Sequence, residues 1–230
     1  MPDRPSQLGW RVPDARTDFP CYTAAESTAD GIVHLVGLTV AAGAVGWLLN
    51  HTAPGATTQQ LAAVLIYCCG LIGMLSVSAA YNLLRPGRLK AVLRRLDHAM
   101  IFAMIAGSYT PFTMSVLRPQ LGIPLCAVVW GLAAIGIWLR LVRPQRGGLA
   151  FVGLYLGMGW LGLAFLGALL AALPGAVLLL LLVGGLIYSL GALVHARARL
   201  PFHNAIWHAM VVAAAALHFA AVAQLPFGPG

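Results

Sequence analysis

One aspartate stands where a charge is hard to keep. Asp97 follows Arg94-Arg95-Leu96 and precedes His98 and the apolar run 99–112, and no other carboxylate occurs between Asp30 and the C-terminus. An ionisable group at a membrane boundary is costly to bury, so it takes a partner or a task. Other polar residues recur at helical spacing. Ser78 and Asn82 are four apart and share one helix face, as do Asn204 and His208. His203 and His208 are five apart and diverge by about 140° on a helix, so they converge on one ion only where the first turn is irregular. Imidazole and carboxylate together suit Zn²⁺. Each histidine alone is more simply a group that satisfies a carbonyl or a neighbouring helix, and His34 and His218 read as packing or supporting groups.

The elements that must position these residues are hydrophobic helices. The chain has 230 residues, 60% of them hydrophobic and 9% charged, against about 25% charged in a soluble domain. A bilayer-spanning helix needs roughly 20 apolar residues. Seven runs reach or approach that length: 32–50, 59–84, 97–117, 122–141, 149–172, 176–195 and 202–225. The fold class expected is all-α, a polytopic membrane protein built as a seven-transmembrane helix bundle. A polar tail over 1–22 precedes the domain at 23–225, and a short tail follows at 226–230. Thr23 and Glu26 fit a capping box just before the first run. Gly153 and Gly157 allow close helix approach, expected within the bundle.

The net charge of +8 could suggest nucleic acid, but the charges sit in short loops between apolar runs, so no nucleic acid is expected as a partner. Thirteen of the fourteen Lys and Arg fall in the N-terminal tail and the second, fourth and sixth loops; only Arg118 falls on the other side. The positive-inside rule then gives a cytoplasmic N-terminus and an outer C-terminus. With that topology His34, His98, His195, His203 and His208 gather near the cytoplasmic face, with Ser78, Asn82, Asp97 and Asn204. Cys21, Cys68, Cys69 and Cys126 show no metal-ligand spacing and read as small apolar fillers.

Four segments together resemble the hemolysin III family, the bacterial branch of the progestin and adipoQ receptor group, which includes the adiponectin receptors. They are Glu26-x-x-x-Asp30-x-x-x-His34-x-x-Gly37, Ser78-x-x-x-Asn82, Leu96-Asp97-His98 with Ala106-Gly107-Ser108-Tyr109-Thr110-Pro111-Phe112, and Ile206-Trp207-His208 with His218-Phe219. The resemblance runs from about residue 22 to 224. It implies a zinc ion near the cytoplasmic face, with the span-three aspartate, Asp97, holding a water and histidines from spans two and seven as ligands. Related alkaline ceramidases imply attack of an activated water on a lipid amide. Asn82 and Asn204 stand at two of the expected histidine positions, and His208 keeps its own. A carboxamide oxygen is a poorer zinc ligand than imidazole. His203, His98 and His34 are the substitutes at hand.

Two functional expectations follow. One is a zinc-dependent membrane hydrolase of lipid amides or esters, with Asp97 and Ser78 catalytic and His208, Asn204, Asn82 and Asp97 around the metal. The other is a non-catalytic protein of the inner (plasma) membrane, involved in lipid homeostasis, in which the same residues form a metal-free polar network. A lytic or channel-like role has little support, because no span carries the repeated polar stripe of a pore. The partners expected are the lipid bilayer and a lipid substrate.

Overall fold

The computed structural model describes residues 19–142, 148–196 and 200–228. The tail up to residue 18, the loop arginines Arg143, Arg146, Arg197 and Arg199, and the last two residues lie outside it. Among the described residues the chain is all helical: α1 (Ala24–Thr52), α2 (Thr58–Leu83), α3 (Arg88–Ser115), α4 (Pro119–Val142), α5 (Gly148–Trp160), a 3₁₀ turn (Leu161–Phe165), α6 (Leu166–Ala172), α7 (Gly175–His195) and α8 (His203–Ala223). Six stretches among the described residues are long and apolar enough to cross a bilayer: α1, α2, α4, Ala150–Ala172, α7 and α8. The chain is a polytopic helical membrane protein. Its outer faces suit lipid: Leu179, Leu182, Leu186, Leu190 and Leu193 form an exposed apolar row along α7.

Helix α1 starts where its capping box places it. Glu26 N–H donates to Thr23 Oγ1, and Thr23 N–H donates back to Glu26 Oε2. One narrow stripe of α1 is buried: Asp30, His34, Gly37, Ala41, Leu48 and Thr52. These positions recur every three, four or seven residues, a seam one helix wide. Against it lies α8, whose buried residues include Asn204, Ala205, His208 and Ala215. The register is parallel. Glu26 meets Phe202, Asp30 meets Asn204 and His208, and Gly37 meets Val212. A Cβ at Gly37 would come within 2.7 Å of Val212 Cγ2, so glycine is what lets the two helices approach here.

Helix α3 differs from the sequence expectation. The stretch 88–95, expected as a basic loop ahead of the third span, is the first two turns of the helix. Leu, Lys, Ala and Arg are strong helix formers, and Pro86-Gly87 already supplies the break. The loop shrinks to 84–87, and Lys90 Nζ reaches back to the carbonyls of Leu84 and Asn82 at 2.8 and 3.3 Å. At the other end Gln59, in the first turn of α2, donates to the Met114 carbonyl. Helices α2 and α3 are therefore antiparallel along their whole length. Pro111 lies inside α3. Thr110 and Thr113 hydroxyls donate to the carbonyls of Ala106, Tyr109 and Thr110 around it, and Trp130 of α4 donates to Thr110.

The fifth apolar run is not one helix. It breaks at the 3₁₀ turn, where Tyr109 accepts from Gly162 N–H and lies 3.0 Å from the carbonyls of Met158 and Gly159. A Cβ at Gly153 or Gly157 would meet nothing within 4 Å, so the close intramolecular approach expected of that pair is not formed. Packing of α5 falls to Phe151, Tyr155 and Met158 instead. His218 behaves as a packing group, with Nε2 3.3 Å from the Leu181 carbonyl and its ring against Gly184.

Candidate functional site

The parallel seam of α1 and α8 brings one acid and two histidines together. Asp30 Oδ1 lies 2.6 Å from His208 Nδ1. Asp30 Oδ2 accepts from Asn204 Nδ2 at 3.1 Å and lies 3.5 Å from His34 Nε2. The imidazole rings of His34 and His208 are 4.4 Å apart between centroids. Asp30, His34 and His208 are all buried, and a donor atom from each lies within 4.8 Å of the others. The spacing explains the grouping. Asp30 and His34 are four apart on α1, Asn204 and His208 four apart on α8, and each pair makes one helix face.

Helix α2 joins through Asn82. Its Oδ1 accepts from Asn204 Nδ2 at 3.2 Å, and its own Nδ2 donates to the Ser78 carbonyl at 2.9 Å. The two asparagines thus bond to each other and to Asp30. Asp97 of α3 lies alongside: its carboxylate is directed at the Ser78 hydroxyl, and the charges of Asp30, His34 and His208 reach it. Of the residues expected at the site, Ser78, Asn82, Asp97, Asn204, His208 and His34 come together at one end of the bundle.

His203 and His98 turn elsewhere. His203 Nδ1 meets the Leu200 carbonyl at 3.1 Å, and its ring packs against Tyr22 and His195. His98 sits among Arg94, Arg140 and His195. The residue that reading from Asp97 passes over is Asp30, which holds the centre of the cluster. Its signal was present: it is the last carboxylate before Asp97, one turn before His34 and one after Glu26.

Glu26 ties the two site helices at their first turns. Its Oε2 accepts from Thr23 N–H and Oγ1, both at 2.9 Å, and its Oε1 accepts from Phe202 N–H at 2.9 Å. Phe202 is the one non-glycine residue among those described with positive φ, at 57°. That left-handed conformation costs about 1–2 kcal/mol for a non-glycine residue. It is held where α8 begins, two residues before Asn204.

The donor set fits a zinc-type cation. Two nitrogens and one carboxylate oxygen are a ligand set of catalytic zinc. His34 Nε2 is buried and has no hydrogen-bond partner. Its 3.5 Å from Asp30 Oδ2 is close to the separation of about 3.4 Å between two ligands of a tetrahedral ion at ~2.1 Å bonds. Asp30 Oδ1 and His208 Nδ1 already face each other at 2.6 Å, so a cation held by both would take the place of that contact. The set that fits is Asp30, His34 and His208, whereas Asn82 and Asn204 are engaged with each other.

Comparison with known proteins shows the family. The family described as Haemolysin-III related matches residues 22–219. The chain belongs to the haemolysin-III-related family. A hemolysin-3 homolog of Bacillus subtilis (strain 168) is 32% identical over 198 residues, covering 86% of this chain and 93% of that protein. Hemolysin-3 of Bacillus cereus is also 32% identical, over 84% of this chain and 89% of its own length. A more distant relative is the human monocyte to macrophage differentiation factor, 29% identical over 165 residues, 68% of this chain and 67% of that one. No solved structure matches the chain. Within this haemolysin-III-related chain, the match spans every residue of the Asp30 cluster.

Proposed function

We propose that this haemolysin-III-related protein is a metal-dependent hydrolase of lipid amides or esters, with Asp30, His34 and His208 holding a zinc-type cation. The observation that carries the metal centre is the buried Nε2 of His34, which makes no hydrogen bond and lies 3.5 Å from the Asp30 carboxylate. A buried polar nitrogen left without a partner costs about 1–3 kcal/mol, and a cation would satisfy it. Bound zinc supplies a Lewis acid and lowers the pKa of water to about 7. The protein's own groups would do the rest. Asp30 would bring negative charge to the cation, and Asn204 Nδ2 would keep that carboxylate in place. Asp97 would take the proton of the attacking water and return it to the leaving group. The Ser78 hydroxyl would orient the lipid carbonyl or the water.

The same proposal sets the protein in the inner (plasma) membrane with seven spans, α3 being the third, and a cytoplasmic N-terminus. Two observations support it. Parallel neighbours α1 and α8 require an odd number of crossings from first to last. Helix α3 runs antiparallel to α2 from end to end. The charge distribution then favours a site at the cytoplasmic face.

Metal content of the detergent-purified protein, prepared with adequate zinc, tests the centre. One equivalent of zinc is expected, lost in His34→Ala and His208→Ala. A metal-free wild-type protein would sink the proposal. One observation favours a second reading, a metal-free network in a non-catalytic protein: the carboxamides of Asn82 and Asn204 bond to each other and to Asp30. Under that reading the wild type carries no metal and His34→Ala changes stability alone.

A further inference from the structure

A second buried charge lies outside the Asp30 cluster. Arg140, in the last turn of α4, is 8% exposed. A buried guanidinium ordinarily has a carboxylate partner. Among the described residues Arg140 makes no ion pair, and its one hydrogen bond runs from Nε to Tyr155 Oη at 3.3 Å. Its guanidinium carbon lies 3.7 Å from the centre of the Phe151 ring. Tyr155 is held in turn, because its hydroxyl donates to the His98 carbonyl at 2.9 Å. Asp97, whose charge reaches Tyr155, does not pair with Arg140.

The arrangement holds the guanidinium plane fixed. Phe151 covers one face, Tyr155 takes Nε, and the two terminal nitrogens have no acceptor among the described residues. The partial negative charge at the C-terminal end of α4 favours a cation there, but none of its last carbonyls bonds Arg140. A fixed guanidinium fork matches two oxygens of a phosphate in one plane. Arg94 acts on the same His98 and is a second permanent positive charge in these surroundings. The position is also a boundary one, since Arg140 closes an apolar helix that faces lipid with Val128, Ile135 and Trp138. At such a boundary the phosphate at hand belongs to a phospholipid.

We propose that Arg140, backed by Phe151 and Tyr155, is a binding site for the phosphodiester of a phospholipid headgroup. The site needs no metal and stands independently of the Asp30 centre. Through the Tyr155 hydroxyl on the His98 carbonyl it abuts the turn of α3 that carries Asp97, so a lipid held there has its headgroup beside the candidate site.

The test is lipid retention by the full-length protein in detergent, read by native mass spectrometry. The probes are dioleoylphosphatidylglycerol, dioleoylglycerol with the same chains and no phosphate, and inorganic phosphate. The wild type is expected to retain the phospholipid and not dioleoylglycerol. Arg140→Met should weaken retention about tenfold or more. Arg140→Lys keeps the charge without the fork and should fall between, and Tyr155→Phe should lower retention less than Arg140→Met. Chelation should leave retention unchanged, which separates this site from the metal centre. Equal retention of phospholipid by wild type and Arg140→Lys, or equal retention of dioleoylglycerol, would overturn the proposal. So would inorganic phosphate that displaces the lipid at equal concentration, which would make the site one for free anions. Should Arg140→Met fail to fold, Arg140→Lys and Tyr155→Phe carry the comparison.

Discussion

Asp30 has more depending on it than any other side chain here. It accepts from Asn204, pairs with His208 and neighbours His34, all away from water. Removing one partner of a buried pair costs more than the pair contributes, because the other group stays buried and unpaired. Asp30→Ala is therefore expected to destabilise by about 3–5 kcal/mol, read as thermal unfolding in detergent. Asp30→Asn keeps one acceptor and should cost less than half as much. If the two variants unfold alike, Asp30 is not the acceptor the geometry makes it. His34→Ala separates structure from chemistry. His34 makes no hydrogen bond through Nε2, so the variant should lose metal while its stability drops by less than that of Asp30→Ala.

The α1–α8 seam works at the scale of elements. Gly37 and Glu26 fix its spacing and its start, and the site lies between them. Gly37→Val would drive a side chain into Val212, and overpacking of this kind costs typically 1–3 kcal/mol. It is expected to lower the unfolding temperature and to weaken metal binding together, since the push opens the gap between His34 and His208. Glu26→Ala removes both the return half of the capping box and the acceptor for Phe202 N–H. Thr23→Ala removes the other half of the box and leaves the Phe202 bond. A larger loss of metal affinity in Glu26→Ala than in Thr23→Ala, at similar stability, is the expected result. Equal losses would reduce Glu26 to a helix cap. That α1 begins with a capping box was legible in the four residues from Thr23 to Glu26, which need nothing from elsewhere. That the same glutamate reaches α8 was not, because Phe202 is 176 positions away.

Topology belongs to the whole molecule. Cys21 is exposed just ahead of α1, while Cys68 is buried. With the N-terminus in the cytoplasm, a membrane-impermeant maleimide should leave Cys21 unmodified in intact spheroplasts and modify it in inverted vesicles. Cys69 is exposed as well, but on a spanning helix, so the charged reagent should miss it from both sides. Labelling of Cys21 in intact spheroplasts would reverse the orientation and move the candidate site to the outer face.

The sequence by itself determined that the chain is a polytopic helical membrane protein, and its helical spacing paired polar residues that the fold gathers at one end of the bundle. Both rest on local quantities: the length of apolar runs, the spacing of charges and the i,i+4 period that pairs Asp30 with His34, Ser78 with Asn82 and Asn204 with His208. It also held the motifs on which the family rests. The sequence did not determine which pair meets which. Asp97 drew attention because it is isolated along the chain, yet isolation along the chain says nothing about neighbours in space. Only the parallel seam of α1 and α8, close at Gly37, put Asp30 between His34 and His208 and left Asp97 beside Ser78. The same packing turned His203 to the Leu200 carbonyl and left His34 Nε2 without a hydrogen bond. A long-range contact is a choice among many helix pairings, and the local pattern that makes each helix amphipathic is the same for all of them.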